Sequence, residues 1–325
     1  MVSFFREKSF AAIFWLVALS LLLHARLLVH APEFSDFPGD GFLFDLLKPL
    51  RELPPLARVF LYQALVIIQA LRLNYILNDL RMMQKTATTV AMSYILLSAL
   101  YPAWNDLIPA LLVNSVLIWL IYLISKLYNA PNPKTVIYNI GLISGSTVLL
   151  YPPSVPLVLV IFLAQAILRP FRPNEWLVML LGLLTPVYCL VSFLFLKDAP
   201  GRTWQFLPVF QPHLPDKTYR LPMLYTTAAL GLLMIAGLFY WEKKMGRMVI
   251  QARKNWWVLL LMFLFLVPVV FFIKGAGFEV LLLCTPPAAA FVSNLFLYPE
   301  KRWLPLLMFW LTAGIIFYNN WVFKN

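Results

Sequence analysis

An all-α, polytopic membrane protein of about eleven transmembrane helices is the fold class the sequence predicts, and three observations carry that prediction. The chain is 62% apolar and only 12% charged, where soluble domains are charged at roughly a quarter of their residues. Apolar runs of about 18 or more residues recur from end to end, each long enough to cross a hydrocarbon core of roughly 30 Å. Lys and Arg gather in short clusters at the ends of those runs, as membrane topology requires. The runs are continuous, which excludes a barrel of alternating segments of about ten residues. The net charge of +12 therefore reads as topology, and no nucleic-acid partner is expected.

The first run, 9–30, is followed by no small-residue cleavage site at Pro32, so it reads as a retained span and not a signal peptide. The second, 54–77, holds Arg72, which is expected to snorkel towards Asn78, Asp79 and Arg81. The third and fourth, 86–103 and 107–125, meet at the hairpin YPAWND; the fifth and sixth, 135–151 and 154–168, meet at YPPS. Gly141-Leu-Ile-Ser-Gly145 in the fifth would let two helices approach closely. The seventh, 175–196, contains Pro186, and the eighth is 222–241. The ninth and tenth, 256–273 and 278–297, are joined by KGAGFE, and Pro286–Pro287 in the tenth, like Pro186, could break its helix. The eleventh is 303–321.

With the N-terminus placed inside, the inner segments carry 15 cations and the outer ones 10, and nine of the 14 acids fall outside. The short loops agree throughout, which gives an N-in, C-out topology. Two outer loops are long, 31–53 and 197–221, and long loops in compact bundles tend to be functional or disordered. Residues 41–52 suit a short amphipathic helix on the outer surface, with Phe42, Leu43, Leu46 and Leu47 facing down. The chain divides into a membrane module at 1–197, the second outer loop at 198–221 and a four-helix membrane segment at 222–325.

The stretch HAPEFSDFPGDGFLFD gathers Glu33, Asp36, Asp40 and Asp45 on the outer face, and Asp106 follows the hairpin tip at Trp104–Asn105. A surface carboxylate can hold a divalent cation or act as a base towards an incoming hydroxyl; plain solvation fits these acids as well. Arg202, His213, Lys217 and Arg220 in the second loop suit a lipid phosphate, and interfacial anchoring by Trp204 and Tyr219 is the alternative. Cys189 and Cys284 lie in separate spans, and His24, His30 and His213 have no ligand spacing, so no metal is assigned. No span carries Asp, Glu or Lys near its centre, which counts against an ion-coupled carrier.

The stretch SALYPAWNDLIPALLVNSVLIWLIYLIS, the glycine-rich IYNIGLISGSTVLLYPPS and RPFRPNEWLVMLLGLLTPVY together resemble the third to seventh spans of the GT-C membrane glycosyltransferases. The same texture resembles an uncharacterised family of Bacteroidota inner-membrane proteins. The GT-C resemblance covers about 200 of the 325 residues. It implies a multi-pass protein of the bacterial inner membrane that contacts membrane lipids and transfers sugar from a polyprenyl-phosphate carrier on the outer face. On that resemblance, Asp36 or Asp40 corresponds to the first-loop catalytic acid. Asp106 is a second acid serving a divalent cation or the acceptor, and Arg202, Lys217 or Arg220 takes the carrier phosphate. The first loop departs from the family in having no adjacent acidic pair; its spacing is Glu33-x-x-Asp36-x-x-x-Asp40. A non-catalytic subunit of an envelope assembly and a transporter or flippase are the competing readings.

Overall fold

A computed structural model describes residues 2–7, 10–34, 41–206, 208–212, 220–273, 277–301 and 303–321. In chain order the helices are α1 (Phe10–Leu23), α2 (Phe42–Asp45), α3 (Pro55–Asp79), α4 (Thr89–Ser98), α5 (Pro109–Lys126), α6 (Pro133–Leu150) and α7 (Pro156–Leu168). They continue as α8 (Pro173–Leu196), α9 (Arg220–Met245), α10 (Ile250–Leu266), α11 (Val269–Phe272), α12 (Thr285–Leu297) and α13 (Trp303–Trp321). Short 3-10 segments join several of them, and the described residues contain no strand beyond a single bridge, Phe210 to Ile273.

Each of the eleven expected segments holds helix. Among the described residues, six stretches are long and apolar enough to cross a membrane: Pro55–Asp79, Pro109–Asn129, Pro173–Leu196, Met223–Met245, Ile250–Phe272 and Phe278–Leu297. Helices α1 and α4 and the stretch Pro152–Leu168 are apolar but shorter.

Proline starts these helices. Six of them (α3, α5, α6, α7, α8 and α12) carry Pro in their first two positions, where the missing N–H is one the helix could not use and the fixed φ is already helical. Pro286 and Pro287 thus open α12 and do not break it. Pro186 sits inside α8 without ending it; its ring lies against the space above Gly145.

The middle of the molecule is α4 and the stretch Phe278–Leu297, in which every residue but the half-buried Glu279 is buried. Polar side chains knit it together. Asn114 of α5 donates to the Leu282 carbonyl at 3.0 Å and to Thr285 Oγ1 at 3.2 Å. The Tyr94 hydroxyl donates to Gln69 Oε1 at 2.7 Å, and Gln69 donates to the Leu111 carbonyl and Ser115 Oγ, both at 2.7 Å. At one side, α6 and α8 pack backbone to backbone. A Cβ on Gly141, Gly145 or Gly182 would run into the main chain of the opposite helix, at Met179, Leu183 and Tyr138 respectively. The GxxxG pair is a packing surface, and its counterpart is Gly182.

Two sequence expectations change. The 41–52 segment forms α2 and a separate 3-10 turn, Lys48–Glu52, in place of one surface helix. It docks on the ends of α6 and α8: Phe44 is buried, Phe42 meets Phe193 and Phe206 with centroids at 5.6 and 5.4 Å, and Gly41 lies against the Leu149 and Leu150 main chain. Phe206 and the crowded C-terminal ends offer a better apolar surface than flat docking could. Arg72 turns from Asn78, Asp79 and Arg81 to lie over the Tyr75 and Tyr122 rings, at 5.8 and 5.7 Å; two ring faces hold a guanidinium in apolar surroundings more cheaply than an unfilled polar site.

The connecting segments sort into two ends. At one, Arg6 donates to the Phe296 and Pro299 carbonyls, Thr88 to the Phe5 carbonyl, and Trp256 to the Met82 carbonyl. There too Arg169 pairs with Glu175 at 2.9 Å and reaches the Leu127 carbonyl. This end gathers the clusters around Arg81, Lys126, Arg169, Lys243 and Lys301. The other end holds the 31–34 segment, the 99–108 hairpin and the beginning of the 278–284 turn.

Candidate functional site

The hairpin between α4 and α5 is pinned from several sides. Tyr62 of α3 donates from its hydroxyl to the Trp104 carbonyl at 3.0 Å. Trp104 Nε1 donates to the Phe278 carbonyl at 3.3 Å, with the two rings stacked. From α13, Asn319 donates to the Leu100 carbonyl at 2.9 Å and Asn320 to the Ala99 carbonyl at 3.1 Å. Asn105 Nδ2 in turn donates to Asn320 Oδ1 at 2.8 Å, and Thr226 of α9 donates to the Leu100 carbonyl. His24, buried beneath, donates from Nδ1 to the Ser20 carbonyl at 2.9 Å and lies edge-on to Tyr62.

This clamp positions Asp106. The Glu33 N–H donates to Asp106 Oδ1 at 3.0 Å, and the Leu107 N–H donates to the Glu33 carbonyl at 3.0 Å. The first loop and the hairpin are thereby joined by a reciprocal pair of bonds. Asp106 is half-buried at the edge of a cleft of about 460 Å3 whose walls include Arg26, His30, Glu33 and Asn105. A second hollow of about 540 Å3 lies on the other side of residues 27–33 and adds Arg58. Burial pushes the Asp106 carboxyl above the usual carboxylate range and the nearby Glu33 carboxylate adds to this; the Glu33 N–H and the Arg26 and Arg58 guanidinium groups pull it back only in part.

Of the residues expected to form a site, Asp106 and Glu33 are the ones placed at this cleft. Asp36 and Asp40 lie outside the described residues, as do His213 and Lys217. Arg202 belongs to the 3-10 segment Pro200–Phe206 and Arg220 opens α9. Arg26, Arg58 and the Asn319–Asn320 pair were not singled out in the sequence. The one signal for the asparagines was two adjacent amides inside an apolar run, which in a bilayer must find partners. Among the described residues no three of His, Cys, Asp or Glu come together as a metal site; Glu33 and Asp106 supply two carboxylates at this cleft.

A profile described as a family of unknown function (DUF6427) matches residues 53–323. No curated protein and no solved structure matches the chain.

Proposed function

The chain belongs to that family, and we propose that it is an eleven-span protein of a bacterial inner membrane, N-terminus inside, that transfers a sugar from a polyprenyl-phosphate carrier at its outer end. The observation that carries the reading is the Asp106 cleft. It holds a half-buried carboxyl with a raised proton affinity and an arginine, and it opens at the end opposite the 81, 126, 169, 243 and 301 cation clusters.

In this reading a carboxylate, Asp106 with Asp36 or Asp40 from the adjoining loop, accepts the proton of an acceptor hydroxyl. The acceptor oxygen bonds to the anomeric carbon, the bond from that carbon to the phosphate oxygen breaks, and polyprenyl phosphate leaves with the electron pair. Arg26 stands in the cleft to stabilise the departing phosphate, and Arg202, His213, Lys217 and Arg220 would add to it from the second loop. A divalent cation would take Glu33 and Asp106 as ligands.

The test compares cells lacking the protein with cells restored by wild type, Asp106→Asn, or Asp36→Asn with Asp40→Asn, at matched membrane levels. Mass spectrometry of envelope glycans and polyprenyl-linked sugars is expected to show one sugar missing and its carrier form accumulating, with neither variant restoring transfer. Full restoration by Asp106→Asn would sink the catalytic reading. It would favour the second one, a non-catalytic subunit of an envelope assembly. The observation behind that alternative is that Asp106 Oδ1 is already occupied by the Glu33 N–H and serves to join two loops. The transporter reading loses support, because Pro286–Pro287 begin a helix and α8 runs through Pro186.

A further inference from the structure

At the opposite end of the molecule, the C-terminal turns of α9 and the link from α12 to α13 border a third hollow, of about 490 Å3. Its walls carry Lys243, Lys244, Arg247 and Lys301 against a single carboxylate, Glu300. Other cations at this end are already used: Arg169 pairs with Glu175, and Arg6 donates to two main-chain carbonyls. The four around the hollow form no ion pair with a carboxylate among the described residues. Aromatic rings steer two of them, with Lys243 Nζ 4.0 Å from the Phe239 centroid and Lys244 Nζ 5.7 Å from that of Tyr298. A ring covers one side of an ammonium group and leaves N–H donors open. The Tyr298 oxygen accepts the Gln84 N–H at 3.2 Å, so its own proton remains to be donated.

The rim is apolar and open. Trp303 is 60% exposed and Phe239 50%, and both stand beside the cations where the helices leave the apolar zone. Solvent-reachable cations lining an open hollow, with exposed aromatics beside them, match an anion that carries its own hydrocarbon. From this we infer that the hollow binds the phosphate headgroup of an anionic phospholipid, with a headgroup of the cardiolipin type, which carries two separate phosphates, using most of its cations. Four cations on two separate elements can each reach a different phosphate oxygen, and such basic pockets between helices are the sites that hold such headgroups. The inference rests on the chain being embedded in a membrane; it is independent of sugar transfer.

The test uses the full chain purified in detergent. Native mass spectrometry reads the retention of tetraoleoyl cardiolipin, dioleoylphosphatidylglycerol and dioleoylphosphatidylethanolamine, and sodium pyrophosphate is titrated separately against the melting temperature. The pocket variant is Lys243→Gln/Lys244→Gln/Arg247→Gln/Lys301→Gln. The control removes equal charge from the same end, as Lys85→Gln/Lys126→Gln/Lys134→Gln/Lys254→Gln. Cardiolipin is expected to be retained over phosphatidylethanolamine, to fall at least about tenfold in the pocket variant and to change less than about twofold in the control. Equal losses in both variants, or retention blind to headgroup charge, would overturn the inference. So would stabilisation by pyrophosphate that the pocket variant abolishes with no preference among lipids, since the ligand would then be a soluble anion. If the pocket variant is not monodisperse, Arg247→Gln alone is measured, and an unchanged cardiolipin retention there counts against the site. Recovery in the membrane fraction is read first: a chain found elsewhere refutes the embedding itself, whereas loss of sugar transfer alone leaves this result untouched.

Discussion

The central pair, α4 with the Phe278–Leu297 stretch, and the side pair, α6 with α8, both bring helices into close contact, and they do so by different physics. In the centre every residue of the 280–297 stretch is buried, while only 22% of the α8 window is. The centre is specified by hydrogen bonds, through Asn114, Tyr94, Gln69 and Thr285. The side pair has one side-chain hydrogen bond across it, Tyr138 to Thr185 at 3.1 Å, and relies on glycines that let main chains touch. Lipid tails are as apolar as leucine, so burial alone does not choose between partners in a bilayer. A helix surrounded by protein can be addressed by polar groups; one that faces lipid on most sides is addressed by shape.

The largest effect should come from breaking the shape. Gly182→Leu puts a side chain into the Tyr138 main chain. Backbone cannot retreat as a side-chain tip can, so the loss should meet or exceed the roughly 1–3 kcal/mol of ordinary overpacking. Monodisperse yield and melting temperature should both collapse. Gly314→Leu, with nothing within 4 Å, should leave both unchanged, and equal losses for the two would refute the packing account.

Breaking the address at the centre should cost less. Asn114→Leu removes one of two donors to the Leu282 carbonyl, the Thr285 hydroxyl keeping the other at 2.7 Å, and forfeits the bonds to Thr285 and Tyr94, a loss of about 1–2 kcal/mol. It should appear as a few degrees of melting temperature in detergent. A drop as large as that of Gly182→Leu would show that the centre, and not the side pair, sets global stability.

The smallest effect concerns the clamp at the end of the centre. The Asp106 carboxyl binds its proton more tightly when folded than its ordinary value of 3.8. Its favourable contribution is therefore complete below that value and lost as pH rises through the folded one. Asp106→Asn keeps an acceptor for the Glu33 N–H but carries no charge. Its melting temperature relative to wild type should accordingly rise between about pH 4 and pH 7. A flat difference would mean that the carboxyl is as well solvated as in the unfolded chain.

The same contrast explains what could be read in advance. Helix positions were legible because lipid-facing runs must be long and apolar, and the cation clusters marked one end. Length differed where a segment is buried all round: α4 has ten residues, since protein neighbours do not impose the bilayer's thickness. Gly141 and Gly145 were visible as a pattern, but Gly182 lacks a partner at that spacing and becomes meaningful only across the helix pair. Asp106 stood out as an acid at a hairpin tip. Its neighbours Arg26 and Arg58 did not, because a cation at the end of a span is expected everywhere and becomes specific only when a carboxylate is folded beside it.

Arg6 grips carbonyls 290 and 293 residues further along the chain. At roughly 5–20 residues per second, the ribosome needs about 15–60 s to deliver them. For the part of that interval after α4 is itself made, α4, a helix buried on every side in the finished protein, waits for the neighbour that will cover it. The nascent chain must therefore hold a vacancy open among these earlier helices, and the link from α12 to α13 enters as a bolt that fastens Arg6.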